Sequence, residues 1–328
     1  MKKLIKVLPL VIAASLTACA KETFQHDLAY FFDAQFEVSL YAKNDKAIKE
    51  IKKICQLIDS MADSYQKRDT FNVYDLNQTN EKVEVSYEFY HMLECAKLAS
   101  DKADNYNLLI GSLSKKWKEA LKNKQVLSNS VIQEELNNIN NSSLVLSEND
   151  DKYYVQRLGN AQIDLGGAAK GYALDKVYEY LQNNNIADYL INAGSSSVLL
   201  GENKHSKTLH GSSENTYVIS LRDVPDARIK IADRVVSTSG NDVQGVEING
   251  VTYSHIINPK TGSALTENDA VIVVTSLGEG TLGDVSSTSL MMNTVEEIKE
   301  IEKELGVATI VVKNHQIIYK SESIPFFN

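Results

Sequence analysis

From Asp164 the chain runs Asp-Leu-Gly-Gly-Ala-Ala-Lys-Gly-Tyr to Tyr172, and few backbones can accept that order. It predicts a strand end that turns sharply into a helix, with Gly166 and Gly167 allowing close backbone approach and Lys170 one turn further on. A helix opening of this kind can receive a phosphate. A second segment, Gly283-Asp-Val-Ser-Ser-Thr288, lies 120 residues downstream. Asp284 and Thr288 are four apart at the start of a predicted helix, so both project from one face and can share a hard cation. Together the two segments suggest a metal-assisted phosphoryl reaction. Spacing alone also allows a plainer account: Asp284 as a helix-capping acid, Asp164 as a turn acid satisfying nearby N–H groups, and Lys170 as a solvated lysine.

The N-terminus restricts where such chemistry takes place. Lys2, Lys3 and Lys6 precede an apolar stretch from Val7 to Ala14, then Leu16-Thr-Ala-Cys19. Small residues before a cysteine, after a short apolar run, read as a bacterial lipoprotein signal cleaved before Cys19, which then carries lipid on its sulfur. The run is shorter than the roughly 18 to 20 residues needed to span a bilayer. We therefore expect a signal over 1–18, a lipidated Cys19 and tether over 19–35, and one domain over 36–328, held at the extracytoplasmic face of the cell membrane through the lipid only. The net charge of −9 becomes −12 once the leader's three lysines are removed, and so acidic a domain lacks the basic footprint that nucleic acid requires. Cys55 and Cys95 each lie on an apolar helical face and read as two buried thiols rather than a disulfide or a metal pattern.

Periodicity supplies an α+β outline. Phe36, Val38 and Leu40 alternate as a strand, and Ala47, Ile48, Ile51, Ile54, Cys55, Ile58 and Met61 keep helical spacing. Further helices are expected over 86–103, across 114–141, from the glycine turn through Leu181, around Asp284 and over 295–305. Strands are expected near 153–157, 161–165, 188–192, 217–221, 234–237, 252–257 and 270–275, with a final hairpin turning at Lys313-Asn-His315. Residues 203–215 read as an exposed loop.

Two more segments complete the pattern: Ile191-Asn-Ala-Gly194-Ser-Ser, and Ser237-Thr-Ser-Gly240 followed by Tyr253-Ser-His255-Ile-Ile-Asn-Pro259-Lys-Thr-Gly262. In these four motifs, in their order and spacing, the chain resembles the ApbE family of FAD:protein FMN transferases over nearly its whole length after the signal. The resemblance implies a two-lobed mixed fold with a flavin cleft between the lobes. It implies that Asp284 and Thr288 bind Mg²⁺ with a backbone carbonyl at Gly167, and that Asp164 and Lys170 contact FAD. His255 would lie beside the flavin phosphates as the base for an acceptor hydroxyl, with Ile256 packed on FAD. The family's Thr-Asp-Gly-Ala-Phe-Asp segment corresponds here to Ala103-Asp-Asn105-Tyr106-Asn107, so Tyr106 keeps an aromatic surface while Asn107 replaces an acid. Ser195 and Asn258 are departures too, and an early methionine and a tyrosine of the family align loosely with Ala34 and Tyr65. The implied reaction moves FMN from FAD to a Ser or Thr of an extracytoplasmic acceptor protein and releases AMP. Two rivals stand beside it: hydrolysis of FAD to FMN and AMP, which the same residues would serve, and FAD binding without chemistry. The joint presence of Asp284, Thr288 and His255 argues against the second.

Overall fold

The computed structural model describes residues 24–324 and the strand Phe326–Phe327, apart from residues 195, 205–214, 222–223, 225–226, 241–244 and 267–269. The proposed signal, Cys19, Ser195 and most of the expected 203–215 loop lie outside the described residues.

The chain opens with β1 (Phe24–Phe31) and β2 (Ala34–Tyr41), then α1 (Asp45–Ala62), α2 (Val73–Leu76), β3 (Val83–Val85) and α3 (Tyr87–Lys102). A 3₁₀ turn at Leu108–Ile110 leads into α4 (Gly111–Lys122), α5 (Asn129–Asn140), β4 (Ser143–Asn149) and β5 (Lys152–Leu158). Next come α6 (Ala169–Asn183), β6 (Tyr189–Ala193), β7 (Ser197–Leu200), β8 (Tyr217–Ser220), β9 (Arg228–Ile231) and β10 (Arg234–Gly240). The chain closes with β11 (Val246–Ile248), β12 (Val251–Tyr253), β13 (Ala270–Ser276), α7 (Gly280–Leu290), α8 (Val295–Leu305), β14 (Ala308–Lys313), β15 (Gln316–Lys320) and β16 (Phe326–Phe327).

Eight strands form one antiparallel sheet in the order β1-β2-β6-β7-β10-β13-β14-β15. Its hairpins β1–β2 and β14–β15 turn through paired residues of positive φ, Phe32-Asp33 and Asn314-His315, the geometry that matches strand twist. Helices α1 and α6 cover one end of one face, burying Ile48, Ile51, Cys55, Leu174, Val177 and Leu181 against β2 and β6. On the opposite face β8 and β9 close over Val198, Val236, Ile272 and Ile310. A smaller lobe of α4, α5 and the 246–264 segment has its own core around Trp117, Leu113, Ile132 and Ile257. The cleft lies between this lobe and the sheet-bearing body, in a mixed α+β architecture.

Most helix ends follow from local chemistry. Asn44 Oδ1 accepts from Ala47 N at 3.0 Å to start α1, and Ser86 does the same for α3. Helix α8 opens on a Thr294–Glu297 capping box and stops at Gly306 with φ 69°.

Several expectations need correction. The tether expected over 19–35 does not hold across that range, because Phe24–Phe31 is a full edge strand paired with β2. Its apolar Leu28 and Tyr30 face solvent while Gln25 and Asp27 share the more covered face with Ala29 and Phe31, so the two faces are not cleanly divided into apolar and polar. The helical stretch 114–141 is two helices, α4 starting at Gly111 and α5 at Asn129. Strand β4 was not foreseen, and 161–165 joins no ladder. Asp164 N instead donates to Leu108 O, and Ile163 N to Asn77 Oδ1. Cys55 is fully buried and Cys95 half-buried, both free thiols. No helix among the described residues is long and apolar enough to cross a membrane.

Candidate active site

Helices α6 and α7 cross backbone to backbone. A Cβ on Gly171 would collide with the Gly280 carbonyl oxygen, and one on Gly280 would lie 2.7 Å from Gly171 O. Only glycine at both positions allows this approach. Helix α7 is buried on nearly every side, and its small residues (Gly280, Gly283, Ser286, Ser287, Ser289) permit that. Its N-terminus is capped from outside: Asp175 of α6 accepts from Gly280 N at 2.5 Å, Thr281 N at 2.9 Å and Thr281 Oγ1 at 2.7 Å. Burial pushes the Asp175 carboxyl up to about 6 against the pull of those hydrogen bonds.

The crossing brings Gly171 N to 2.7 Å from Asp284 Oδ2. The other oxygen, Oδ1, accepts from Ser197 Oγ of β7 and Ser237 Oγ of β10, each at 2.7 Å. Asp284 thus sits one turn inside α7, which starts at Gly280, and the capping account fails for it. Burial raises its pKa, while the Lys170 ammonium and the hydroxyl and amide donors oppose that rise. Thr288 Oγ1 donates to Asp284 O at 3.1 Å and lies 3.0 Å from Ser239 Oγ. Gly167 abuts this pair, since a Cβ there would stand 3.4 Å from Thr288 Oγ1 and 2.9 Å from the Tyr106 ring.

Among the described residues no three His, Cys, Asp or Glu side chains converge on one point. A cation here would therefore rest on one carboxylate and neutral oxygens. Asp284, the Thr288 hydroxyl and a Gly167 carbonyl would supply such an all-oxygen set, the chemistry that suits Mg²⁺. Its one acid is buried with incomplete charge compensation, so the residues fit the ion.

At the glycine turn Asp164 Oδ1 accepts from Gly166 N at 2.7 Å, so the turn-acid reading holds for that oxygen. Lys170 follows in the first turn of α6. His255 projects from a tight loop in which Ile256 N donates to Ser254 Oγ and Ser254 N to Leu265 O. Trp117 Nε1 donates to Gly262 O at 2.8 Å and fixes the far side of the same loop. The His255 ring is open to the cleft, yet the surrounding walls and the Lys170 charge push its pKa below the ordinary 6.5.

Ala34 and Gly194 meet where β2 approaches the β6–β7 turn. Tyr65 lies half-exposed beneath the Lys118 ammonium, 4.5 Å from its ring centroid, and its hydroxyl is pushed up to about 12 by burial and nearby acids. Asn105 is a buried clamp, its N bonded to Ser289 Oγ and its Nδ2 to Asn293 Oδ1. Asn107 Oδ1 caps the 3₁₀ turn by accepting from Leu109 N.

All twelve site residues named within the folded domain line one cleft of about 650 Å³: Ala34, Tyr65, Asn105, Tyr106, Asn107, Asp164, Gly167, Lys170, His255, Ile256, Asp284 and Thr288. That volume suits a ligand of cofactor size. Sequence reasoning missed Ser197, Ser239 and Lys118 as parts of the cleft lining, and Ser237 as the hydroxyl behind Asp284. Ser237 and Ser239 belong to a segment already singled out and Ser197 directly follows another, but no local pattern shows which hydroxyls turn toward Asp284.

The ApbE family profile matches residues 32–311. The chain belongs to the ApbE family. It is 25% identical to the FAD:protein FMN transferase of Haemophilus influenzae, over 98% of this chain and 97% of that one. With the Klebsiella pneumoniae protein of the same description it shares 30% identity over 76% and 77% of the two chains. The crystal structure of the Thermotoga maritima ApbE protein superposes with a TM-score of 0.75 at 21% identity, covering 92% of this chain and 98% of that one. Apo Pseudomonas stutzeri flavinyl transferase ApbE gives 0.72 at 19%, covering 93% and 97%. At those identities the structures establish the ApbE fold. One departure of this ApbE-family chain is chemically quiet, since Asn258 Oδ1 accepts from Lys260 N and Thr261 N as a carboxylate would.

Proposed function

We propose that this ApbE-family enzyme is a flavinyltransferase that moves FMN from FAD to a Ser or Thr hydroxyl of an extracytoplasmic acceptor protein, with Mg²⁺, releasing AMP. The observation that carries the reading is that Asp284, Thr288 and Gly167 line one cleft together with Lys170 and His255. Bound by the first three, Mg²⁺ would polarise the pyrophosphate and neutralise charge on the leaving phosphate.

The protein groups account for the remainder. The Lys170 ammonium, in the first turn of α6, offers positive charge to the phosphates, while the Ala168, Ala169 and Gly171 N–H groups there are held by Leu165 O and Asp284. His255, neutral at pH 7 by virtue of its lowered pKa, takes the proton of the acceptor hydroxyl. The hydroxyl oxygen bonds to the phosphorus of the FMN moiety, the P–O bond to AMP breaks, and AMP departs with that electron pair. The proton on His255 returns to solvent, so one acceptor hydroxyl and one FAD give one phosphoester-linked FMN, one AMP and one proton. Tyr106, held against Gly167, offers an aromatic surface to the flavin. Cys19 would carry the lipid that holds the enzyme to the membrane. Incubating the purified chain with FAD, Mg²⁺ and candidate secreted acceptors should produce a fluorescent flavin band that survives denaturing electrophoresis. Bands that appear only in native gels would reduce the reading to FAD binding.

A further inference from the structure

The two oxygens of Asp284 are occupied unequally. An ionised carboxylate oxygen has about two lone-pair directions. Oδ1 has both filled, by Ser197 Oγ from β7 and Ser237 Oγ from β10, each at 2.7 Å. Among the described residues Oδ2 accepts only from Gly171 N, at 2.7 Å, which leaves one direction open. All three donors sit on rigid elements: two central strands of the large sheet and the first turns of α6. Ser197 and Ser237 are each about 1% exposed, so water does not replace them. A Cβ on Gly283 would lie 2.9 Å from Ser237 Oγ, so that hydroxyl is confined as well.

We infer that Ser197 and Ser237 determine metal specificity: by saturating Oδ1 they restrict Asp284 to one-oxygen ligation through Oδ2, which favours Mg²⁺ over Ca²⁺. This rests on the proposed Mg²⁺ site. Mg²⁺ takes near-ideal octahedral geometry at 2.0–2.1 Å and is poorly served by a chelating carboxylate, whereas Ca²⁺ accepts six to eight oxygens at 2.3–2.6 Å and readily takes carboxylates in two-oxygen fashion. Occupying Oδ1 therefore removes a ligand that only the larger ion could use. The hydroxyls act on the ion through Asp284 and are positioning residues.

The test is calorimetric titration of Mg²⁺ and of Ca²⁺ into the full chain with saturating FAD and no acceptor, so that binding is read and not turnover. Wild type is compared with Ser197→Ala, Ser237→Ala and the double variant. Ser286→Ala serves as control, its buried hydroxyl having no partner among the described residues although it lies on the same helix. Loss of both hydroxyls should raise the Ca²⁺/Mg²⁺ affinity ratio by about tenfold, each single loss by less, and Ser286→Ala should leave it alone. A double variant with a wild-type melting curve and an unchanged ratio overturns the inference, as does a parallel fall in both affinities. Wild type that binds neither ion overturns the Mg²⁺ reading itself, a separate result. If the double variant does not fold, the two single variants decide by the same ratio.

Discussion

At His255 two influences act in one direction: the cleft walls disfavour the imidazolium, and the Lys170 ammonium repels it. A group so lowered is predominantly neutral above 6.5. Single-turnover transfer should therefore rise with pH along a limb whose midpoint lies below 6.5, and Lys170→Met should move that midpoint upward while weakening FAD binding. His255→Asn should slow transfer by about 10²–10⁴-fold and abolish the limb. A limb that persists in His255→Asn would put the base elsewhere. For Asp284 the expectation is a loss of about 3–5 kcal/mol of transition-state stabilisation in Asp284→Ala, with a far smaller change in FAD affinity. Asp284→Asn, which can still accept from Ser197 and Ser237, controls for folding. Near-wild-type turnover in either variant would return Asp284 to a structural role. At this scale the sequence was informative about identities and silent about partners. Asp284 and Thr288 stood out by spacing, while Ser197 and Ser237, on strands 87 and 47 residues away from Asp284, had no local signal.

Helix α7 is held by a cap that it does not carry itself, since Glu279 at its own N-cap makes no side-chain cap bond and Asp175 of α6 does that work. Asp175→Ala leaves two buried N–H groups and a hydroxyl unpaired and should cost about 1–3 kcal/mol of stability, with transfer falling because α7 carries Asp284 and Thr288. The pH dependence has a definite sign. Folding raises the Asp175 pKa from 3.8 to about 6, so its contribution is full below 3.8 and is lost as pH rises through about 6. Denaturant titrations of wild type against Asp175→Asn should show the wild-type advantage shrinking by about 3 kcal/mol between pH 3.5 and 7; a constant difference would contradict it. The elements best legible in the sequence were those with caps and a single apolar stripe, α1 and α8 above all. Those obscured were β1, which mixes apolar and polar residues on both faces, and 161–165, whose extended backbone bonds to Leu108 and to the Asn77 side chain instead of a strand.

In the whole molecule, the large sheet and its helices carry Asp284, Lys170 and Gly167, and the smaller lobe carries His255 and Ile256, so the cleft is complete only when both cores form. The motifs made this partnership visible as a resemblance; the chain's periodicity alone did not, because the two lobes exchange segments several times. The proposed membrane attachment can be tested apart from the catalytic fold. Cys19→Ser should release active enzyme into the soluble fraction of fractionated cells, and retention of that variant would mean that something other than lipid holds it. Transfer and hydrolysis of FAD differ in where the flavin ends. The direct measurement is the ratio of AMP released to flavin covalently bound, by chromatography and intact mass on one reaction of enzyme, FAD, Mg²⁺ and acceptor. Transfer predicts equal amounts, with the acceptor heavier by one FMN less one water; AMP released without covalent flavin would contradict it.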